Sequence, residues 1–423
     1  MAYGDGTRPH RVTRTRADGT TRTYWRAAID DGWTSQGTRR RRTVSGATEA
    51  ECRRNLRNLR REINARQANT VSPRTTVKRW ADTWLPVQAE TLRPKAYAVT
   101  ETMVQRWIVP TIGHRRLSEL TAADARELDA AHRAVGNTGT TARTCRRTLA
   151  KMLRDAQVEG HEVPAAVLAA PMPRAAVNTR TEIPTADAVR LLRAAMSPDE
   201  WPPLPADATA AQRKTRRLAA QVHASRWLAA LLQGMRQGEC LGLTWDRVDL
   251  AAGTVTIDRQ VQAVPRRARD AGTVDADWYG AEHIAGAYYL VPVKSRAGVR
   301  VIPLVPAMVA VLAAWREECP PSPWGLVWPR PSGGPWSSGD DRMAWQGLQD
   351  AAGVAKGAGG HYVVHEARHS TATLLMALRV PTQVVIAIMG HASISTTQGY
   401  QHADLDEMRT ALAGVAGMLQ IEG

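Results

Sequence analysis

Residues 365–377 read HEARHSTATLLMA, and two incompatible kinds of protein lay claim to them. His365, Glu366 and His369 satisfy H-E-x-x-H, in which two histidines one helical turn apart bind zinc and the glutamate serves as base. The same stretch changes meaning when Arg368 is counted. His365 and Arg368 share a helix face at i, i+3, and a fixed guanidinium repels a dication but suits an anionic oxygen. A zinc protease also needs a third ligand. After Glu366 no carboxylate occurs until Asp404, the chain does not continue as H-x-x-G-x-x-H, and His391 is the remaining candidate.

The rest of the chain weighs on that choice. Its 423 residues predict two to four domains, each able to bury a core. Lys and Arg number 56 against 40 Asp and Glu, a net charge of +16 that calls for a polyanionic partner, nucleic acid or an anionic membrane surface. Residues 1–70 hold 16 arginines and 7 acidic residues, so the excess is concentrated there. A zinc protease explains neither that segment nor Lys294, one of only six lysines. No apolar run approaches the length of a membrane span and MAYGDGTRPHRVTRTR lacks a signal-peptide core, which predicts a soluble, cytoplasmic protein. The four cysteines are far apart and read as reduced and mostly buried.

Hydrophobic spacing divides the chain into three domains: 1–70, 76–165 and 178–423. In the first, TYWRAAID and RRRRTV alternate as short strands around DDGWTSQG. Thr48 and Glu51 then open a helix with Cys52, Leu56, Leu59 and Ile63 on one face. Residues 76–165 read as a helical bundle. Val77, Trp80, Ala81, Trp84 and Leu85 form one stripe, Met103, Val104, Trp107 and Ile108 a second, and Cys145, Leu149, Met152 and Leu153 another. Pro94 suits a first helical turn and Thr121 an N-cap. Arg143, Arg146, Arg147 and Lys151 are expected to face outward. The proline-rich stretch 161–184 is a linker, and the last domain is mostly helical around two strand-like runs, GTVTIDRQVQAV and YYLVPVKSRAGVRVIPL. The fold class is therefore multi-domain α+β, mainly α with small β-sheets.

Reactive residues recur at four places in the last domain: Arg236 and Glu239 in MRQGECLGLTWDRVDL, Lys294 in VKSRAGVRVIPL just before an SRAG turn between two β runs expected to form a hairpin, His365 and Arg368 in HEARHSTATLLM, and His391 and Tyr400 in MGHASISTTQGYQHAD. In order and spacing these segments resemble the four signature segments of the tyrosine recombinase (phage integrase) family. The resemblance covers most of 178–415. Residues 76–165 resemble that family's helical core-binding domain, and residues 1–70 its small three-stranded arm-site-binding domain.

The resemblance implies a reaction. Tyr400 attacks a phosphodiester, forming a 3′-phosphotyrosyl link and releasing a 5′-hydroxyl. Arg236 and Arg368 hold the non-bridging oxygens, Lys294 protonates the leaving oxygen, His365 gives acid/base help and His391 a hydrogen bond, with Glu239 orienting Arg236. No cofactor and no metal are implied. Double-stranded DNA at attachment sites is the expected partner, gripped by a homo-tetramer whose core-binding and catalytic domains clamp a half-site; an excisionase and a host DNA-bending protein are further candidate partners. Integration or excision of a phage or mobile element is the implied role, in the cytoplasm at the nucleoid. Arg39, Arg40, Arg41, Arg42, Arg143, Arg146 and Arg147 are the expected DNA-binding residues. Residues 265–287, longer than the family's usual connection, are read as an extra DNA-contacting loop. Open alternatives are a chromosome resolvase, a type IB topoisomerase-like enzyme, a DNA-binding regulator with a decayed site, and the zinc protease.

Overall fold

Alternation in the first 46 residues builds one sheet of three strands, β1 (His10–Thr15), β2 (Thr21–Trp33) and β3 (Arg39–Gly46), antiparallel and in chain order. The computed structural model describes residues 7–15, 19, 21–33, 39–68, 72–175, 181–275, 279–294, 298–357, 359–390 and 404–421, with the backbone alone at 32–33, 39–40 and 64–68. Helix α1 (Glu49–Ala68) lies on the sheet face carrying Ala27, Ile29 and Val44, against which Leu56, Leu59 and Ile63 pack. Its start is half of the expected box. The Glu51 amide donates to Thr48 Oγ1 at 3.1 Å, while the Glu51 carboxylate takes the amide of Ala47 at 2.7 Å.

The helical bundle follows: α2 (Val77–Thr91), α3 (Pro94–Met103), a π-helical turn over Val104–Ile108, α4 (Val109–Ile112), α5 (Ala122–Ala134), α6 (Gly139–Val158) and α7 (Ala165–Ala169). Pro94 starts α3 and a reciprocal Thr121–Asp124 box starts α5. The expected stripes are its core. Trp80, Trp84, Val104, Ile108, Cys145, Leu149, Met152 and Leu153 are buried together. Both indoles are satisfied, Trp80 Nε1 by the Met152 carbonyl at 2.8 Å and Trp84 Nε1 by Asp155 at 2.7 Å.

The second unit begins with α8 (Thr185–Met196), α9 (Ala210–Ala220), α10 (Ala224–Leu231) and α11 (Gln237–Leu241). Strands β4 (Val248–Asp249), β5 (Thr254–Ile257) and β6 (Arg259–Ala263) come next, then the short α12 (Arg266–Asp270), β7 (Glu282–Ala285), β8 (Tyr288–Pro292) and β9 (Arg300–Pro303). Helices α13 (Pro306–Glu318), α14 (Ser338–Ala351), α15 (Val364–Ala377), α16 (Thr382–Met389) and α17 (Leu405–Met418) complete it. Its core runs from α8 to α17, with Met408, Leu412 and Val415 of the last helix and Leu419 just after it inside. The structure is thus mainly helical, with three small antiparallel sheets among the described residues, β1-β2-β3, β4-β5-β9 and β6-β8-β7.

Two expectations need correction here. Lys294 does not sit on a turn joining two paired strands, because β8 pairs with β6 and β9 with β5. Arg259 faces Pro292 and Ile257 faces Arg300, so Asp258 alone separates the two pairings on the partner side. Lys294 therefore follows closely on the end of β8 rather than lying between strands that pair with each other. The segment after β6 is not a free loop either. Residues 264–279 group with the first unit, where Val264, Ala268, Thr273 and Tyr279 are buried. Arg267 pairs with Glu101 of α3 at 3.0 Å and Asp275 with Arg57 of α1 at 3.0 Å. Apolar residues inside the insertion find a core there, so this stretch is packed, with Arg266 and Arg267 left exposed.

Candidate active site

The chain must turn sharply between α10 and α11, and Gly234 makes the turn. Its φ is +59°, and a Cβ there would lie 2.8 Å from Met389 Sδ. That turn aims Arg236, the residue preceding α11, at the C-terminal end of α16. Its guanidinium donates to Glu239 Oε1 at 2.6 Å and to the Gly390 carbonyl at 2.8 Å, and it stays about one-third exposed. Helix α15 delivers Arg368 to the same place from the other side. Almost fully buried, Arg368 donates to the Gly234 carbonyl at 2.5 Å and to the Met389 carbonyl.

Electrostatically the cluster is overcharged. Burial, followed by repulsion from Arg236 and Arg300, pushes the Arg368 guanidinium down to about 9, still high enough to keep its charge at neutral pH. Glu239 is 2% exposed. Burial would raise its carboxyl, but hydrogen bonds and charge from Arg300, with the amide and charge of Arg236, outweigh that and hold it below the usual carboxylate range. Three guanidiniums thus cluster about one carboxylate that is hydrogen-bonded to two of them, Arg236 and Arg300, an arrangement that favours an incoming anion.

His365 precedes Arg368 by one turn of α15 and is exposed, its ring edge-on to His369 at 4.9 Å between centroids. Lys294 is exposed on its loop. Tyr400 and His391 lie outside the described residues. The structure therefore brings together Arg236, Glu239 and Arg368 and leaves the remaining assignments to the sequence.

The zinc reading fails on Glu366. That carboxylate is 1% exposed and already takes Lys356 Nζ at 2.5 Å, the Thr181 amide at 2.9 Å and the Val363 amide at 2.8 Å. A carboxylate so enclosed and already paired with an ammonium is not placed to serve as the base of a zinc site. Among the described residues, no three His, Cys, Asp or Glu side chains are grouped to hold a metal ion.

The expected DNA-binding arginines separate by environment. Arg146 is corrected: it is 3% exposed, bonded to Asp129 at 2.7 Å and to the Ala125 and Ala170 carbonyls at 3.0 and 3.1 Å. It lies on the buried stripe because it follows Cys145, where a helix face widens into the groove between α5 and α7. Arg143 is half-buried and Arg147 exposed. Arg42 shares the face covered by α1 and pairs with Glu62 at 2.9 Å. The side chains of Arg39 and Arg40 lie outside the described residues. Strand register places Arg14, Arg22, Arg26 and Arg41 on the opposite, uncovered face, with Arg14 across from Arg22 and Arg41 across from Asp30. Period-two parity, with Ala27 and Ile29 marking the core face, was the signal that finds Arg22 and Arg26.

Arg300 was missed too. On β9 it shares the inward face with Ile302, a charged residue at a core position.

A helical bundle, a small-sheeted second unit and a guanidinium cluster suited to an anion fit a DNA strand-transferase of the tyrosine recombinase class, and the family matches show that class. The chain belongs to the phage integrase family: the Phage integrase family model matches residues 208–407 and the Phage integrase, N-terminal SAM-like domain model residues 76–128. It is a site-specific recombinase of that family. An integrase of Saccharopolyspora erythraea is 25% identical over 437 residues, covering 92% of this chain and 93% of its own. A tyrosine recombinase XerC of Methylobacterium sp. (strain 4-46) is 27% identical over 303 residues, 70% of this chain and 77% of its own. Among solved structures, the Tn1549 transposon integrase in complex with transposon right end DNA is similar in fold, with TM-score 0.57 at 15% identity over 81% of this chain and 99% of that one. No helix among the described residues is long and apolar enough to cross a membrane.

Proposed function

We propose that this recombinase cuts and rejoins duplex DNA through Tyr400, serving the integration and excision of a phage or mobile element. The observation that carries the reading is the buried, overcharged cluster of Arg236, Arg368 and Arg300 around Glu239. A phosphodiester repels nucleophiles and spreads more charge over its oxygens in the transition state, so pre-placed cations are the main source of rate. Arg236 and Arg368 take the non-bridging oxygens. The Tyr400 phenol loses its proton to His365 as its oxygen bonds phosphorus; the bond to the 5′-oxygen breaks, and Lys294 protonates that oxygen. His391 donates to the phosphoryl group. The energy of the broken ester is kept in the phosphotyrosine, so a second strand's 5′-hydroxyl can reverse the step without metal or nucleotide triphosphate.

A tetramer on paired attachment sites, with the uncovered face of the β1–β3 sheet holding a further DNA segment, completes the proposal. The integrase relative covers 92% of the chain and the XerC relative 70%, which favours an integrase over a chromosome resolvase. Tyr400→Phe tests the chemistry. On a nicked suicide duplex it is expected to bind like the parent and trap no covalent adduct; an adduct formed by the variant refutes the assignment.

The cluster also predicts binding of a bare anion. Inorganic phosphate at ten times its Kd adds about 1.4 kcal/mol to stability if it binds only the folded state. Thermal unfolding with increasing phosphate is expected to show that rise in the parent and not in Arg236→Ala. An equal rise in both would place the anion elsewhere.

A further inference from the structure

The end of α16 is capped in an uncommon way. The last carbonyls of a helix have no partner within it. Here three in succession are each taken by a different guanidinium: Ile388 by Arg300 Nε at 2.8 Å, Met389 by Arg368, and Gly390 by Arg236 at 2.8 Å. Gly390 itself is left-handed, φ 61°, and ends the helix at the third carbonyl.

Arg300 is the member whose three nitrogens all hold protein acceptors. Its side chain is 5% exposed, and it grips Glu239 with both terminal nitrogens, at 3.2 and 2.8 Å, while one of them also holds the Gly298 carbonyl at 3.0 Å. Each Glu239 oxygen therefore divides itself between Arg300 and Arg236, the latter through its guanidinium at 2.6 Å and its amide at 2.9 Å. Without Arg300 the carboxylate would belong to Arg236 alone and neutralise the charge meant for the phosphate.

We propose that Arg300 is a positioning residue for strand transfer: by sharing Glu239 it leaves the charge of Arg236 uncancelled and correctly aimed at the phosphate. This inference rests on the strand-transfer reading above. It differs from a merely structural role, which would lower the amount of folded protein and leave the rate of each folded molecule alone.

The test is single-turnover adduct formation at saturating DNA, on a nicked duplex carrying the junction recovered by sequencing from cells that express the chain with its flanking DNA. Arg300→Gln keeps a planar donor and loses the charge; Arg300→Lys keeps the charge and loses the fork. Misaiming a reacting group by an ångström costs about 10²-fold, so Arg300→Gln is expected to slow adduct formation by about that factor, with Arg300→Lys in between. Affinity for the duplex, set by many phosphate contacts, is expected to stay within about threefold. Folded protein is counted by near-UV circular dichroism. A parent rate per folded molecule in Arg300→Gln overturns the proposal. Should neither variant fold, Glu239→Gln is compared with Glu239→Gln/Arg300→Met. Equal rates support action through Glu239, and a further tenfold loss or more in the double variant overturns it, on the non-additivity expected of coupled residues. The parent's adduct, absent in Tyr400→Phe, is the control that separates failure of this inference from failure of the strand-transfer reading.

Discussion

Arg368→Lys is expected to form the covalent adduct about 10³-fold more slowly than the parent while still binding DNA, a loss of the size seen when one pre-placed charge donor is removed from a transition state. The substitution keeps a positive charge by name only. Arg368 uses separate nitrogens for the Gly234 and Met389 carbonyls, and a single ammonium cannot span both and still face a phosphate. Burial and neighbouring cations already push the guanidinium down to about 9. A lysine starts about two units lower, so the same surroundings carry it into the neutral range. A base depressed in this way is charged below its folded value and neutral above it. The defect should therefore deepen as pH rises from 6 to 8.5, which single-turnover rates across that range will show. A variant within tenfold of the parent at pH 8.5 would contradict the role given to Arg368.

Arg146→Ala should unfold the helical bundle rather than weaken DNA binding. Its partner Asp129 is held in a site where burial raises the carboxyl against the pull of Arg146. Removing one member of a buried pair leaves the other charge uncompensated, at a cost of about 3–5 kcal/mol. Two carbonyls lose their donor as well. Arg147→Ala, one position along on an exposed site, is expected to leave stability within about 0.5 kcal/mol. Thermal unfolding of the two variants side by side is the measurement, and equal midpoints would sink the distinction. Arg146→Ala/Asp129→Ala should recover part of the loss, because no charge is then left buried alone.

The contrast between these neighbours shows what was legible. In a helix, apolar spacing marks the buried face, and Trp80, Trp84, Leu149 and Met152 were found by it. Arg146 was not, since a guanidinium at the edge of that stripe looks the same whether it meets water or an aspartate on another helix. Asp129 is 17 residues away and nothing local links the two. Arg300 escaped for a related reason: its parity with Ile302 was readable, but its use depends on Glu239, 61 residues earlier. The setting of Lys294 was misjudged because two adjacent runs normally pair with each other, and here β8 pairs with β6 and β9 with β5.

The sequence by itself determined the helical stripes, the caps at Thr121 and Pro94, the mainly helical class, and the order of reactive residues that marks the family. These depend on spacing within a few residues, where covalent geometry sets which side chains share a face. Only the tertiary structure decided which charges are paired. Whether a cation is available to an anion depends on groups distant in the chain and on the water removed around them, so Arg236 stays partly open while Arg146 and Arg300 are spent inside.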